Sequence, residues 1–140
     1  MVKLPPTAAA PVLRTHFVDD ALWERLKAEI ASPTEEGFLA TVEFVDDRRF
    51  DGMGEGDVID GLPGSYPGTY PHPVLFVVDA VTAGSPDHPI LVIDAHDQPK
   101  PPFRSTPRGI QSIENNLSIA NMDFEEFAAA VDPDGIFRGF

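Results

Sequence analysis

Apolar and polar positions follow two different periods along the first third of the chain, and they predict a strand, a helix and a second strand. Residues 12–17, VLRTHF, are rich in β-branched and aromatic side chains and predict a short strand. Residues 19–33 predict an amphipathic helix, capped by Asp19 or Asp20, whose apolar positions recur at helical spacing: Leu22, Trp23, Leu26 and Ile30. Residues 37–47, GFLATVEFVDD, predict the second strand. This order indicates a crossover unit with parallel strands.

The middle of the chain combines one long loop with two strongly apolar strands. Residues 48–73 are rich in glycine and proline and predict a long loop, which has room for one short helical turn. The continuous apolar runs at 74–79 and 90–95 predict central strands that are buried on both faces. The segment between them is too short for a crossover helix, so we expect these two strands to be antiparallel. Residues 103–106 predict a further strand.

The last third of the chain predicts two helices. From Ile110 onward, an apolar stripe lies beside a polar stripe, which consists of Gln111, Glu114, Ser118 and Asn121. A second helix is predicted to begin with the capping box of Asp123 and Glu126 and to end at Asp132-Pro133. We therefore expect a flexible arm at 1–11 and a single α/β domain at 12–140. Its mixed, largely buried β-sheet would be covered by the N-terminal amphipathic helix and the C-terminal helices.

The formal net charge of −13, from 10 Lys and Arg against 23 Asp and Glu, narrows the classes of partner. Such a chain repels phosphate backbones and anionic lipid surfaces, so neither nucleic acid nor a membrane is an expected partner. The charge attracts a basic protein or a small cation, although acidity also serves solubility alone. The chain lacks cysteine, which excludes disulfides, thiolate metal sites and a cysteine nucleophile. No signal-peptide or transmembrane pattern is present, so a cytoplasmic location is expected.

Aspartates at the ends of the predicted strands are one candidate site. Asp46, Asp47, Asp79 and Asp94 each follow an apolar run. Ligands of open α/β sheets bind beyond the carboxyl ends of parallel strands, where clustered carboxylates can hold Mg²⁺ or Ca²⁺. If the two central strands are antiparallel, Asp79 and Asp94 lie at opposite ends, and turn-forming aspartates are the alternative. We assign no metal to these aspartates, because turn formation explains them equally simply. We assign no cofactor, because the sequence has no P-loop and no dinucleotide-binding fingerprint.

The polar residues of the first C-terminal helix, together with one loop histidine, are the other candidate site. Two asparagines in succession are unusual inside a helix, which indicates either a functional site or a helix end whose amides cap the backbone. His72 lies at the end of the long loop and is a candidate general base, with Glu114 as a second acid–base candidate. The residues expected to bind a ligand or partner are Gln111, Asn115, Asn116, Ser118, Asn121, Asp46 and Asp47.

Several segments resemble a family of small actinobacterial proteins of unknown function: VLRTHF, ATVEFVDD, HPVLFVVD, SPDHPILVIDA and, most specifically, ENNLSIANMDFEEF. The likeness covers most of the chain from residue 12 onward and implies no activity. The C-terminal DFEEFAAAV is similar to the tail of the SUKH immunity-protein superfamily, in which a similar helix closes an α/β domain that neutralises a toxin. That second resemblance implies an inhibitor or immunity function.

Two functions fit the sequence. The first is an acidic, non-catalytic interaction module that binds a basic protein partner, in the manner of an inhibitor or immunity factor. The alternative is a small cofactor-independent enzyme, such as a cyclase, lyase or isomerase of a biosynthetic pathway, which acts on a small molecule through His72 or Glu114. The oligomeric state stays open.

Overall fold

A six-stranded mixed β-sheet forms the centre of the molecule, in a computed structural model that describes residues 2–62, 70–95 and 99–140. The strands are β1 (Ala10–Arg14), β2 (Val42–Val45), β3 (Val74–Val78), β4 (Ile90–Asp94), β5 (Phe103–Ser105) and β6 (Ile136–Phe137). Their order across the sheet is β2-β1-β3-β4-β5-β6. Strand β1 is parallel to β2 and to β3, whereas β4 is antiparallel to both of its neighbours, and β6 is parallel to β5.

Five α-helices connect the strands within the described residues. They are α1 (Asp20–Ala31), α2 (Glu55–Asp60), α3 (Ala80–Gly84), α4 (Ile110–Ser118) and α5 (Phe124–Ala128). Two short 3-10 turns add to them, at Arg48–Phe50 and Pro107–Gly109. The predicted fold class, a single α/β domain with a mixed sheet, is confirmed.

The two faces of the sheet are covered by different layers, because side chains alternate between the faces along each strand. On one face, strand residues such as Val12, Phe76 and Val92 pack in one cluster with the apolar sides of α1, α4 and α5. On the other face, Leu75 and Val77 belong to a second cluster. Every residue of β1, β3 and β4 is buried. The molecule thus has three layers, and the expected burial of the central strands is confirmed.

Helix α1 matches its prediction closely, because its ends carry explicit signals. The Asp19 carboxylate accepts a hydrogen bond from the Leu22 N–H at 3.0 Å, which caps the first turn. The helix ends just before Pro33, whose ring disfavours helical backbone in the residue that precedes it. All four predicted apolar positions of the helix are buried.

The order of the strands confirms the two predicted pairings. Strands β1 and β2 are parallel across α1, as the crossover requires. Strands β3 and β4 are antiparallel, and Val74 at the start of β3 lies opposite Asp94 at the end of β4. Asp79, which follows β3, therefore lies at the other edge of the sheet from Asp94. The short helix α3 fills the connection without acting as a crossover.

Several predicted boundaries differ from the structure. Strand β2 begins at Val42 and not at 37, because Gly37 adopts a positive φ of 89° and a turn joins Thr34 to Phe38. Helix α5 ends at Ala128, before the predicted end at Asp132. Strand β1 begins at Ala10, within the segment predicted as an arm.

The segments predicted as arm and loop also contribute to the second layer. Leu4 is buried there, and its N–H donates to the Gly61 carbonyl at 2.8 Å. Phe50 and Val58, in the 3-10 turn and in α2, are fully buried in the same cluster. The predicted flexibility of the arm stays a prediction, and residues 63–69 of the predicted loop lie outside the described residues.

Candidate functional site

An open groove of about 520 Å³ lies where the amino ends of the parallel strands meet the end of helix α4. The residues that precede or begin β1, β2 and β3 form one wall: Ala8, Ala9, Ala10, Leu39, Thr41, Pro71, His72 and Pro73. The last turn of α4 and the residue after it form the other wall: Glu114, Asn115, Ser118 and Ile119. The two acid–base candidates, His72 and Glu114, therefore line the same groove.

Glu114 is a buried polar residue of the groove, with only 4% of its surface exposed, and hydrogen bonds hold its side chain in place. Its Oε1 accepts hydrogen bonds from the Thr41 N–H and, at 2.8 Å, from Asn115 Nδ2. Its Oε2 accepts from the Ser118 hydroxyl at 2.6 Å. This pattern suits an ionised carboxylate, which can only accept hydrogen bonds. Glu114 thus fastens α4 to the segment that leads into β2.

Asn115 extends this connection to a second backbone group. Its Nδ2 also donates to the Leu39 carbonyl at 2.9 Å, and its Oδ1 accepts from Gln111 Nε2 at 2.8 Å. Three predicted binding residues and the acid–base candidate Glu114 thus form a single hydrogen-bonded network with the 39–41 segment. The three binding residues are Gln111, Asn115 and Ser118. Gln111 supports Asn115 without lining the groove itself.

The other two asparagines of the prediction lie at the end of α4, outside the groove lining. Asn116 Nδ2 donates to the Ser112 carbonyl at 2.8 Å, and its Oδ1 accepts from Asn121 Nδ2 at 2.9 Å. The backbone N–H of Asn121 donates to the Asn116 carbonyl, while the Ala120 N–H donates to the Leu117 carbonyl. This pair of bonds is a Schellman motif. Backbone groups alone form this motif. Of the two side-chain amides, that of Asn116 donates to a backbone carbonyl, whereas that of Asn121 donates to the Asn116 side chain, so the alternative of a capping amide fits Asn116 only.

His72 is oriented by the chain segment that precedes β1. Its Nε2 lies 2.9 Å from the Thr7 carbonyl and 3.2 Å from the Thr7 hydroxyl, which itself donates to the Ala9 carbonyl at 2.7 Å. Since a carbonyl only accepts, Nε2 carries the proton, and Nδ1 is an acceptor when the ring is neutral. The Tyr70 ring meets the imidazole edge-on at 5.4 Å, and burial raises the pKa of Tyr70 to about 12. The tyrosine therefore stays protonated at neutral pH.

Asp46 and Asp47 lie at the carboxyl edge of the sheet, away from the groove. The guanidinium of Arg14, 3% exposed as a residue, donates to Asp46 Oδ1 at 3.3 Å and also pairs with Asp20. The side-chain hydrogen bond from Arg49 lowers the pKa of Asp47. Asp47 also accepts from the Arg49 N–H at 3.0 Å, at the start of the 3-10 turn. The structure thus gives both carboxylates arginine partners and does not bring them together with the polar residues of α4.

The remaining strand-end aspartates are separated and hydrogen-bonded as well. Asp79 caps α3 and forms a two-pronged ion pair with Arg104, at 3.0 and 2.8 Å. Burial alone would raise the pKa of Asp79, but the hydrogen bonds from Arg104 and Thr82 lower it. Asp94 is buried at the opposite edge, where its Oδ2 accepts from the Lys100 N–H at 2.9 Å. Among the described residues no cluster of three or more His, Asp or Glu could hold a metal ion.

Apolar side chains at the mouth of the groove are the functional candidates that the sequence did not indicate. Leu39 is 53% exposed and Ile119 is 73% exposed, and both line the groove. Phe38, next to Leu39, is 57% exposed. The strand predicted over 37–47 concealed Phe38 and Leu39, and Ile119 follows the last residue of α4. Their signal was weak: each is a large apolar residue outside the regular pattern of its element.

The chain belongs to a family described as a domain of unknown function, DUF6924, whose model matches residues 9–140. Membership of an uncharacterised family is thus confirmed. No curated protein and no solved structure matches the chain. Within the part of the chain that the structure describes, no helix is long and apolar enough to cross a membrane.

Proposed function

We propose that the protein is a non-catalytic binding module for a basic protein partner, and that the partner docks at the groove between α4 and the amino ends of the strands. The observation that carries this proposal is the exposed apolar rim of Leu39 and Ile119 above a polar floor that is fixed by internal hydrogen bonds. Large exposed apolar side chains grouped at a concave site are typical of an interaction surface.

The floor of the groove supports binding better than acid–base chemistry. Both oxygens of Glu114 accept hydrogen bonds from protein donors, and Asn115 is held at three points. A proton transfer by Glu114 would break these bonds, whereas a rigid floor lowers the entropic cost of binding. A preorganised surface of this kind suits recognition.

The distribution of charge supports a basic partner. At least seven of the ten Lys and Arg side chains form ion pairs with carboxylates of the same chain: Arg14, Lys27, Arg49, Lys100, Arg104, Arg108 and Arg138. Because the chain has 23 Asp and Glu against 10 Lys and Arg in all, a strong negative field remains. Such a field speeds encounter with a basic protein and weakens with added salt.

The test is capture of proteins from cell lysate by immobilised protein, at low and at high salt, with two matched variants. Leu39→Lys replaces an apolar side chain on the rim of the groove by a positive charge, which repels a basic partner, and Val81→Lys places the same charge on α3, where Val81 is 49% exposed. We expect a basic protein to be retained at low salt by the native chain and by Val81→Lys, and to be lost with Leu39→Lys. Equal capture by both variants would contradict the proposal.

An inhibitor or immunity factor is the specific form of this function that the resemblance to the SUKH superfamily implies. A partner of that kind would be a basic toxin or enzyme, and its activity would fall when the complex forms. The actinobacterial origin implied by the other resemblance makes an actinobacterial lysate the first choice for the capture.

A cofactor-independent enzyme is the second candidate, and one observation favours it: His72 and Glu114 line the same groove. His72 is the better acid–base group of the two, since its Nδ1 has no hydrogen-bond partner among the described residues, whereas Glu114 is engaged at both oxygens. Metabolite screening of the native chain would be repeated with His72→Ala and with His16→Ala as the control. A turnover that the first variant alone abolishes would support this candidate, and unchanged turnover in both would exclude His72.

A further inference from the structure

The hydrogen-bond donors of the groove are almost all used within the protein. Both N–H groups of the Asn115 amide donate, to Leu39 O and Glu114 Oε1, and the Ser118 hydroxyl donates to Glu114 Oε2. The Nε2–H of His72 is directed at Thr7. Among the described side chains of the groove, the Thr41 hydroxyl is the exception, because its donor is not used within the protein and it can either donate or accept a hydrogen bond. What remains for a ligand is chiefly acceptor capacity.

Glu114 also lacks a counter-cation among the described residues, in contrast to the carboxylates of Asp46 and Asp79. Asp46 has Arg14 and Asp79 has Arg104, but Glu114 forms no ion pair among the described residues. None of the described residues that line the groove is Lys or Arg. The three donors that contact Glu114 are a side-chain amide, a hydroxyl and a backbone N–H, which stabilise the carboxylate without neutralising its charge. The Coulombic attraction of this carboxylate for a cation increases when the cation displaces water from the groove.

The shape of the groove suits a cation on an aliphatic stem. Leu39 and Ile119 offer apolar contacts at the mouth, and the alanines that lead into β1 offer them along one wall. A lysine side chain has a four-carbon stem that packs on such surfaces and a terminal ammonium with three donors, and an arginine side chain is similar with five donors. The remaining lone pairs of Glu114, Ser118 and Asn115 would meet those donors.

We infer that the groove is a recognition pocket for an alkylammonium or guanidinium cation, supplied by a lysine or arginine side chain of the protein partner. This inference rests on the proposed function and deepens it, because it names the group of the partner that enters the groove. A free small-molecule amine has the same chemistry, and the experiment separates the two sources.

The direct test uses N-acetyl-lysine amide and N-acetyl-arginine amide as probes, with N-acetyl-norleucine amide as the uncharged control. Binding is followed by NMR at the Asn115 side-chain amide and at the Thr41 backbone amide, which both contact Glu114. We expect saturable shifts with the two cationic probes, weaker at high salt, and none with norleucine. Equal shifts with norleucine, or no shift with either cation, would overturn the inference.

The matched variants are Glu114→Gln and Glu55→Gln, which remove the same charge. The glutamine at 114 keeps an oxygen for Thr41 and Asn115, and Glu55 is an exposed residue of α2. We expect the first variant to bind the cationic probes about tenfold more weakly, which corresponds to about 1.4 kcal/mol, and the second to bind as the native chain does. Equal binding by the two would overturn the inference. The norleucine comparison in the native chain stays decisive even where the first variant folds poorly.

Capture with these variants separates the inference from the proposed function. Loss of the partner with both Leu39→Lys and Glu114→Gln supports both. Loss with Leu39→Lys alone keeps the groove as the docking site and overturns the cation pocket. Unchanged capture by Leu39→Lys overturns the proposed function, and probe binding in that case would assign the pocket to a free amine and overturn the partner as its source.

Discussion

At the scale of single residues, Glu114 connects structure and candidate function. One buried carboxylate accepts hydrogen bonds from the backbone of the β2 entry segment, from its neighbour Asn115 and from Ser118 one turn later. A buried donor that loses its acceptor costs about 1 to 3 kcal/mol. The side chain therefore matters for stability before any ligand arrives.

Replacing Glu114 by Ala should lower the free energy of unfolding by about 1 to 3 kcal/mol, because three partly buried hydrogen bonds are lost together. Glu114→Gln should cost less than half of that, since it keeps one oxygen. Chemical denaturation at neutral pH measures both, with Glu55→Ala on the surface of α2 as the control. If Glu114→Ala were no more destabilising than this control, the hydrogen-bonded network would contribute nothing to the free energy of unfolding.

Asp79 should make stability depend on pH, because its pKa is lowered in the folded chain from the ordinary value of 3.8. A lowered folded pKa gives stability that is present above that ordinary value and is lost as the pH falls through the folded pKa. Asp79→Asn keeps a good helix cap and removes the ion pair with Arg104.

We expect Asp79→Asn to be less stable than the native chain by about 1 to 2 kcal/mol at neutral pH. The difference should shrink as the pH drops below 3.8. Denaturation curves of both proteins over an acid series provide the comparison. A difference that stays constant throughout the series would show that the ionised pair contributes nothing.

At the scale of elements, the end of α4 shapes both the helix and the groove. Ala120 occupies the left-handed position of the Schellman motif, with φ at 54°, which glycine adopts without strain. Ile119, the residue before it, is the C-cap and lies on the rim of the groove. The turn that ends the helix is therefore also the turn that exposes the apolar rim.

Ala120→Gly should stabilise the protein by about 0.5 to 1 kcal/mol, because it relieves the strain of a side chain at positive φ. The same change at Ala28, an exposed position inside α1, should destabilise by about 1 kcal/mol. Thermal and chemical denaturation of the two variants compare one substitution in two backbone conformations. Destabilisation of similar size at both positions would refute the assignment of this motif.

The elements that were predicted well carry their own signals, and those that were not depend on tertiary contacts. Helix α1 has an acidic cap, a regular apolar stripe and a proline after its end, and the apolar runs of β3 and β4 are continuous. The start of β2 depends on the conformation of Gly37, and α5 ends at Ala128, before the Asp132-Pro133 signal from which its end was predicted. Sequence periodicity cannot report either of these.

The candidate site was predictable in part, for the same reason. Helical spacing groups Gln111, Glu114 and Ser118 on one side of α4, and the unusual pair of asparagines drew attention to that helix. The partners of Glu114 and Asn115 are backbone groups of Thr41 and Leu39, more than seventy residues away. No local pattern announces such contacts, and none indicated that His72 would line the same groove.

At the scale of the whole molecule, strand order places the groove at an unexpected edge of the sheet. Open α/β sheets usually bind ligands beyond the carboxyl ends of parallel strands. Here the buried Arg14 lies near that edge with Asp46, Asp20 and the ring of Phe17, 4.4 Å from the guanidinium. The open groove lies instead at the amino ends, where α4 crosses the entries of β1, β2 and β3.

The most direct test of the central claim is site-specific photo-crosslinking in lysate, with benzoylphenylalanine in place of Leu39 or, in a second protein, of Val81. We expect a discrete adduct with a basic protein from position 39, weaker at high salt, and no such adduct from position 81. Adducts of equal yield from both positions, or an adduct from position 81 alone, would contradict the claim that the partner docks at the groove.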